Sequence, residues 1–414
     1  MTLAFEIART HLLSRPKQTI VAMMGVTFGI GMFIAMVGLM TGLNNFTEEL
    51  TMTSSPDIHI FHDVTQDRPT ILDQLRPGEF NMVHHQKPKK ETSRIRNADQ
   101  IASIIRKDDR VKGVAPMLAS QVFYNYGAVQ LNGSMFGVDI LEEDKLFNLR
   151  GKMKAGRIED LIANNNGIVM GKGLAKKLNT SVGDRVVITT PQGYTMTLKV
   201  VGLFQMGIGT VDNVRSYANI STVQTILQQN KSYITDINIK LKDLNQAKYV
   251  AAEYQRLFSY RAEDWETANA TFLTGNIIRN VLTYSVSITL LVVAGFGIYN
   301  ILNMTIYSKM KDIAILKAMG FSGRDVKFIF LIQALVIGVL GSIGGLCIGF
   351  GLSSLIAQVP FNGGDVVSMD RLPVNFDPKY YVIGIVFGVT TTAIAGYMPS
   401  RKASHVDPIE ILRG

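Results

Sequence analysis

Ser308-Lys-Met-Lys-Asp-Ile-Ala-Ile-Leu-Lys-Ala-Met-Gly320-Phe-Ser-Gly-Arg-Asp-Val-Lys327 is a charged segment between two apolar runs, Val281 to Tyr307 and Phe328 to Ala357. Each run is long enough to cross a bilayer as a helix, which takes about 20 apolar residues. The segment between them must therefore sit in water at one membrane face. Ile313, Leu316 and Gly320 recur at helical spacing, with Lys311, Asp312 and Lys317 towards other faces. That pattern predicts a short amphipathic helix ended by Gly320. Lys309, Lys311, Lys317, Arg324 and Lys327 mark the loop as cytoplasmic. Composition alone favours a solvated loop whose basic residues only fix topology.

Two further apolar blocks, Thr19 to Gly42 and Tyr380 to Tyr397, complete a set of four with no Asp, Glu, Lys or Arg in their inner parts. An integral membrane α-helical protein with four transmembrane helices follows. Between the first and second lies a large extracytoplasmic α/β domain, because from about Pro56 to Arg261 the periodicity is mixed. Asp57 to Phe61, Gln121 to Tyr126, Arg185 to Thr190, Met196 to Phe204 and Tyr233 to Leu241 read as strands. Ala98 to Lys107, Gly173 to Leu178, Thr222 to Gln228 and Leu244 to Leu257 read as helices. Thr65 to Asn97, rich in Pro, Gln, His and charge, reads as a long excursion.

The expected organisation is a cytoplasmic amphipathic segment (1–18), a first transmembrane helix with stalk (19–52) and the extracytoplasmic domain (53–265). A stalk and second transmembrane helix (266–307) lead to the cytoplasmic loop (308–327) and a third transmembrane helix (328–357). A short outer loop (358–379), a fourth transmembrane helix (380–398) and a cytoplasmic tail (399–414) follow. Helical spacing of Leu43, Phe46 and Leu50 beyond Gly42 predicts that the first helix projects past the bilayer. Gly341, Gly345 and Gly349, at four-residue intervals, predict tight packing of the third helix, and Gly25 and Gly29 form a similar pair in the first.

Composition excludes several functions. The net charge of +9 comes from basic residues beside the spans, so it argues for topology and not for nucleic acid. The single cysteine, Cys347, lies inside a span and allows no disulfide within one chain. No phosphate-binding G-x-x-x-x-G-K-[ST] loop is present, and Gly167 to Gly173 has the wrong spacing. His59, His62, His84 and His85 lack the ligand partners of a zinc site. The spans carry no ionisable relay, only groups such as Asn300, Asn303 and Gln333, so energy for any transport must come from outside the membrane.

Asp312-Ile-Ala-Ile-Leu-Lys-Ala-Met-Gly320 resembles the coupling helix of the FtsX-like permease family, which includes macrolide-exporter and lipoprotein-releasing (Lol) types. The likeness extends through Ile168-Val-Met-Gly-Lys-Gly-Leu-Ala-Lys-Lys-Leu178, Val182-Gly-Asp184 and Val201-Gly-Leu-Phe204. It continues in Asp264-Trp-Glu-Thr-Ala-Asn269 and in the ending Pro399-Ser-Arg-Lys-Ala-Ser-His-Val-Asp-Pro-Ile-Glu410. The outer stretches resemble the Lol branch most.

The resemblance implies a bacterial inner-membrane protein, multi-pass with both termini cytoplasmic. It pairs with a second permease subunit, like or unlike, and with a cytoplasmic ATPase that binds ATP and Mg. This chain would hold no cofactor. The ATPase-coupling residues implied are Lys311, Asp312, Ile313, Ile315, Leu316, Lys317, Met319 and Gly320. Met32, Met36, Met40, Ile298 and Ile301 are candidates to face an amphiphilic substrate, methionine walls being adaptable to varied acyl chains. The Lol branch implies extraction of lipoproteins towards a periplasmic carrier. Lol permeases that receive the carrier bear an extended hook, whereas here the hairpin turns through Pro191-Gln-Gly193. The other branches imply an efflux permease acting with an outer-membrane partner, or a signalling subunit controlling a cell-wall hydrolase.

Overall fold

The computed structural model describes residues 2–14, 16–63, 75, 93–361, 369, 371–405, 407 and 411. Contacts separate the chain into two units. One holds the described residues of 1–47, 274–361 and 370–414, and the other those of 48–273 with Met369. The excursion expected over Thr65–Asn97 lies, apart from Leu75 and residues 93–97, outside the described residues. The helices used below are α1 (Thr2–Ser14), α2 (Pro16–Ser54), α3 (Ala98–Ile105), α4 (Ile140–Phe147), α5 (Ala247–Phe258), α6 (Ala270–Ser308), α7 (Met310–Ala318), α8 (Gly323–Gln358) and α9 (Pro378–Ser404).

Among the described residues four helices, α2, α6, α8 and α9, are long and apolar enough to cross a membrane. α2 and α6 have 39 residues each. At 1.5 Å per residue that is about 58 Å, roughly twice the ~30 Å hydrocarbon layer. Pro16 begins α2, where its missing N–H costs nothing, and so separates it from α1. Ser322 and Asp325 close a capping box at the start of α8.

The membrane helices pack through glycine. A Cβ on Gly341, Gly345 or Gly349 of α8 would lie 2.8, 2.7 or 2.9 Å from Val26, Ile30 or Ile34 of α2, so backbone meets a β-branched ridge over two turns. Thr27 Oγ1 donates to the Gly341 carbonyl at 3.0 Å along the same seam. On α9, Gly388 meets Ile30 and Gly396 meets Ala334. By contrast, nothing lies within 4 Å of a Cβ on Gly25. That residue of the Gly25/Gly29 pair is not spent on helix packing.

The second unit is built on one sheet. Its strands are β1 (Ile58–Phe61), β2 (Val111–Tyr126), β3 (Val129–Val138), β4 (Met153–Gly156), β5 (Gly167–Gly171), β6 (Arg185–Thr189), β7 (Thr195–Phe204), β8 (Arg215–Asn219), β9 (Asp236–Leu241) and β10 (Arg261–Asp264). The order is β10-β1-β9-β2-β3-β8-β5-β7-β4, with β6 pairing β2 and β7. α3 and α5 pack on the β10-β1-β9-β2 end around Ile58, Ile60, Ile105, Ile239 and Val250. A second core surrounds Tyr124, Met170, Leu174 and Val186.

The strand expected over Gln121–Tyr126 is the last third of a 16-residue strand. Its first half pairs with β9 from Val111 to Met117, and its second with β3 from Met117 to Tyr126. Burial on both faces from Val114 to Leu118 erased the alternation that marks a one-sided strand, and Gly113 and Pro116 imitate breaks. The expected turn after Thr190 is present: Thr190 N–H bonds the Tyr194 carbonyl at 2.9 Å, and Gly193 takes φ +88°.

Candidate coupling helix and substrate-facing groove

Helix α7 is held on one side and free on the other. Ile313 and Ala314 are fully buried, Ile313 in a cluster with Ile306, Val326, Phe330 and Ala403. Lys317 Nζ donates to the Ser404 carbonyl at 3.1 Å, and Lys309 pairs with Asp312 at 2.8 Å. Gly320, at φ +103°, lets Phe321 N–H reach back to the Leu316 carbonyl at 3.2 Å, a left-handed stop. Lys311, Ile315 and Met319 form the outward stripe at four-residue spacing. Ile315 is 47% and Met319 65% exposed, which leaves a partner two large apolar side chains to bury.

Of the eight residues expected to couple, Lys311, Asp312, Ile315, Met319 and Gly320 therefore face outward. Leu316 and Lys317 are half-buried, and Ile313 belongs to the seat. Ile313 and Leu316 share a helical face in sequence. Only the packing of α8 and α9 shows that this face is turned inward.

A groove of about 420 Å³ runs between α2 and α6. Gly25, Gly29 and Met32 line one wall, and Leu290, Gly297 and Ile301 the other. Met32 and Ile301, two of the five residues expected to face a substrate, both line the groove. Met36 and Met40 are partly buried and lie outside the groove lining. Ile298 is 1% exposed and packs in the core with Ile30 and Leu302, because it stands one residue, about 100° of helix, from the groove-lining Gly297. Further along, Arg279 donates to Asn44 Oδ1 at 2.5 Å and Asn44 donates to Asn280 Oδ1 at 2.8 Å, a polar clasp between the helices.

Both long helices enter the sheet at neighbouring strands. α2 ends three residues before β1, and β10 leads through Trp265–Ala268 into α6. β1 and β10 are hydrogen-bonded antiparallel partners, Ile58 opposite Asp264. Asp264 caps the turn that follows, its carboxylate accepting from Glu266 and Thr267 N–H. Of the histidines considered for metal, His59 pairs through Nε2 with Asp236 at 2.7 Å, and His84 and His85 lie outside the described residues.

Residues 284–408 match the FtsX-like permease C-terminal family, and residues 19–257 match the MacB-like periplasmic core domain, more than half of the chain. The chain belongs to the FtsX/MacB permease family. Its α/β unit is accordingly a periplasmic domain between the first and second membrane helices, in a multi-pass inner-membrane protein. This FtsX/MacB-type permease is similar to the lipoprotein-releasing system transmembrane protein LolC of Xylella fastidiosa (strain 9a5c). The two are 26% identical over 82% of this chain and 87% of that one. LolC of Neisseria meningitidis serogroup B is 27% identical over 79% and 85%. The macrolide export ATP-binding/permease protein MacB of Agrobacterium fabrum is 27% identical over 73% of this chain and 46% of that protein, so the chain spans about half that relative's length.

Several contacts among this permease's membrane helices left no mark in the sequence pattern. Lys402 Nζ bonds Tyr307 Oη and lies 4.6 Å from the centre of its ring, and Lys327 lies 4.2 Å from that of Tyr397. Their charges read as topology signals, and nothing in sequence paired them with tyrosines. Gln333 Nε2 lies 3.1 Å from His11 Nδ1, joining α8 to α1 across more than 300 residues.

Proposed function

We propose that this permease draws lipoproteins out of the inner membrane for release in the periplasm, driven by ATP hydrolysis on a separate cytoplasmic ATPase. The observation that carries the reading is the path of α6, which follows β10 at one end and gives way to α7 at the other. A partner seated on Lys311, Ile315 and Met319 would push on α7, and a single helix would deliver that push to the sheet. α2, clasped to α6 by Asn44, Arg279 and Asn280, would move with it. The α2/α6 groove, lined by apolar residues, would take acyl chains without the substrate crossing the bilayer.

In this reading both termini and α7 are cytoplasmic, ATP and Mg stay with the ATPase, and a second permease subunit completes the complex. The similarity to LolC over most of both chains supports lipoprotein as the substrate. The similarity to MacB supports a second reading, efflux through an outer-membrane partner. Depletion of the protein, followed by comparison of acylated proteins in inner- and outer-membrane fractions, separates the two. Retention of lipoproteins in the inner membrane is expected. Normal sorting with raised drug sensitivity would overturn the first reading in favour of the second.

A further inference from the structure

A second groove, of about 370 Å³, opens where α1 lies against the start of α2 and the middle of α8. Phe5, Ala8 and Leu12 of α1 face Ile20 and Met23 of α2 and Ile337 of α8 across it. Among the described residues Arg9 is the one charged residue in the lining, and no carboxylate forms an ion pair with it. Lys17 adds a second exposed cation near the start of α2. The walls are fixed: Ala8 is 1% exposed, Thr19 Oγ1 donates to the Leu12 carbonyl at 3.0 Å, and the His11–Gln333 contact ties α1 to α8.

We propose that this groove binds one anionic phospholipid of the inner leaflet, its acyl chain along the apolar floor and its phosphate on Arg9. The placement rests on the reading above that α1 is cytoplasmic. An apolar slot with a cation at its rim matches an acyl chain that ends in a phosphate, and the cytoplasmic leaflet is where anionic lipid concentrates. Occupancy would also reach the coupling helix. His11, on the same helix as Arg9, has its ring 6.2 Å from that of Phe330, and Phe330 packs in the cluster that seats Ile313. A lipid that presses α1 onto α8 would thus firm the seat from which α7 is pushed.

The test is native mass spectrometry of the purified full chain, loaded in turn with phosphatidylglycerol and phosphatidylethanolamine and then stripped with detergent. The wild type should retain one phosphatidylglycerol, at about five times the occupancy of phosphatidylethanolamine, the factor one interfacial arginine supplies. Arg9→Gln, at an exposed position, should bring phosphatidylglycerol down to that lower level. Leu12→Trp, which fills the groove, should lose both lipids. Equal retention of the two lipids by the wild type, or undiminished phosphatidylglycerol on Arg9→Gln, would overturn the proposal. The leaflet is read separately from Ser14→Cys. Labelling by an impermeant thiol reagent only after lysis supports the inner leaflet, and labelling on intact cells overturns it. Lipid retention is measured whatever the transported substrate, so its failure and that of the lipoprotein reading are distinguishable.

Discussion

Lys240 Nζ lies 2.7 Å from Asp57 Oδ1 and 2.8 Å from the Met52 carbonyl, so one lysine joins the last turn of α2 to the sheet. Both side chains are largely buried. Asp57 also accepts Leu241 N–H at 2.8 Å through its other oxygen, and its carbonyl receives Trp265 N–H at 3.0 Å. The end of α2, strand β9 and the approach to α6 therefore meet at one ion pair.

Lys240→Met should leave the Asp57 carboxylate buried without its cation and destabilise the periplasmic unit by about 3 kcal/mol. Trp265 is the only tryptophan in the chain and adjoins the pair, so its fluorescence during denaturant unfolding reports the loss. Adding Asp57→Asn should recover most of it. A double variant no better than the single would show that the pair acts only through packing.

Ile315→Glu should fold and insert normally yet lose at least about tenfold in stimulation of the partner ATPase, a loss of ~1.4 kcal/mol in coupling. Ile313→Glu, at 0% exposure, should fail at insertion or stability instead, because it buries a charge in the seat of α7. Reconstituted ATPase activity set beside expression in the membrane gives the answer. Equal coupling defects in two well-folded variants would contradict the division between docking stripe and seat.

Glycines of similar spacing should respond in opposite ways. Gly345→Leu drives a side chain into Ile30 and should cost about 1–3 kcal/mol, seen as a lower melting temperature in detergent. Gly25→Leu has open space around its Cβ and should keep the melting temperature while occupying the α2/α6 groove. Lipoprotein release from spheroplasts should then fall in Gly25→Leu despite intact folding. Full release would remove the groove from the substrate path.

Burial pushes the Glu143 carboxyl from 4.5 up to about 7, with the nearby Arg215 pulling the other way. Asp212 is raised too, again by burial. A carboxyl raised on folding is neutral in the native state while its unfolded counterpart ionises. Stability is then fully present below about pH 4.5 and lost as pH rises through about 7, by roughly 3 kcal/mol for Glu143. Unfolding followed by Trp265 at pH 5 and pH 8 should show this fall, and Glu143→Gln should remove most of it. An unchanged slope in the variant would place its origin elsewhere.

The membrane helices were legible because a bilayer imposes a length and an apolar composition that no other environment demands of 20 consecutive residues. The turn chemistry was legible for a similar local reason: Gly320 and Pro191-Gln-Gly193 specify their backbone within a few residues. β2 was only partly legible, since its two halves answer to different partners and both faces of its middle are covered.

What the sequence determined by itself is therefore what depends on near neighbours: four apolar spans, the charged loop between the second and third, and the presence of a mixed α/β insert. What only the tertiary structure decided is direction. Ile313 inward and Ile315 outward, Ile298 in the core and Ile301 on the groove, Gly345 spent on packing and Gly25 left open are choices made by distant helices. Isoleucines two or three positions apart differ by about 200° or 300° around a helix, and which of them meets a neighbour depends on contacts formed far away in the chain.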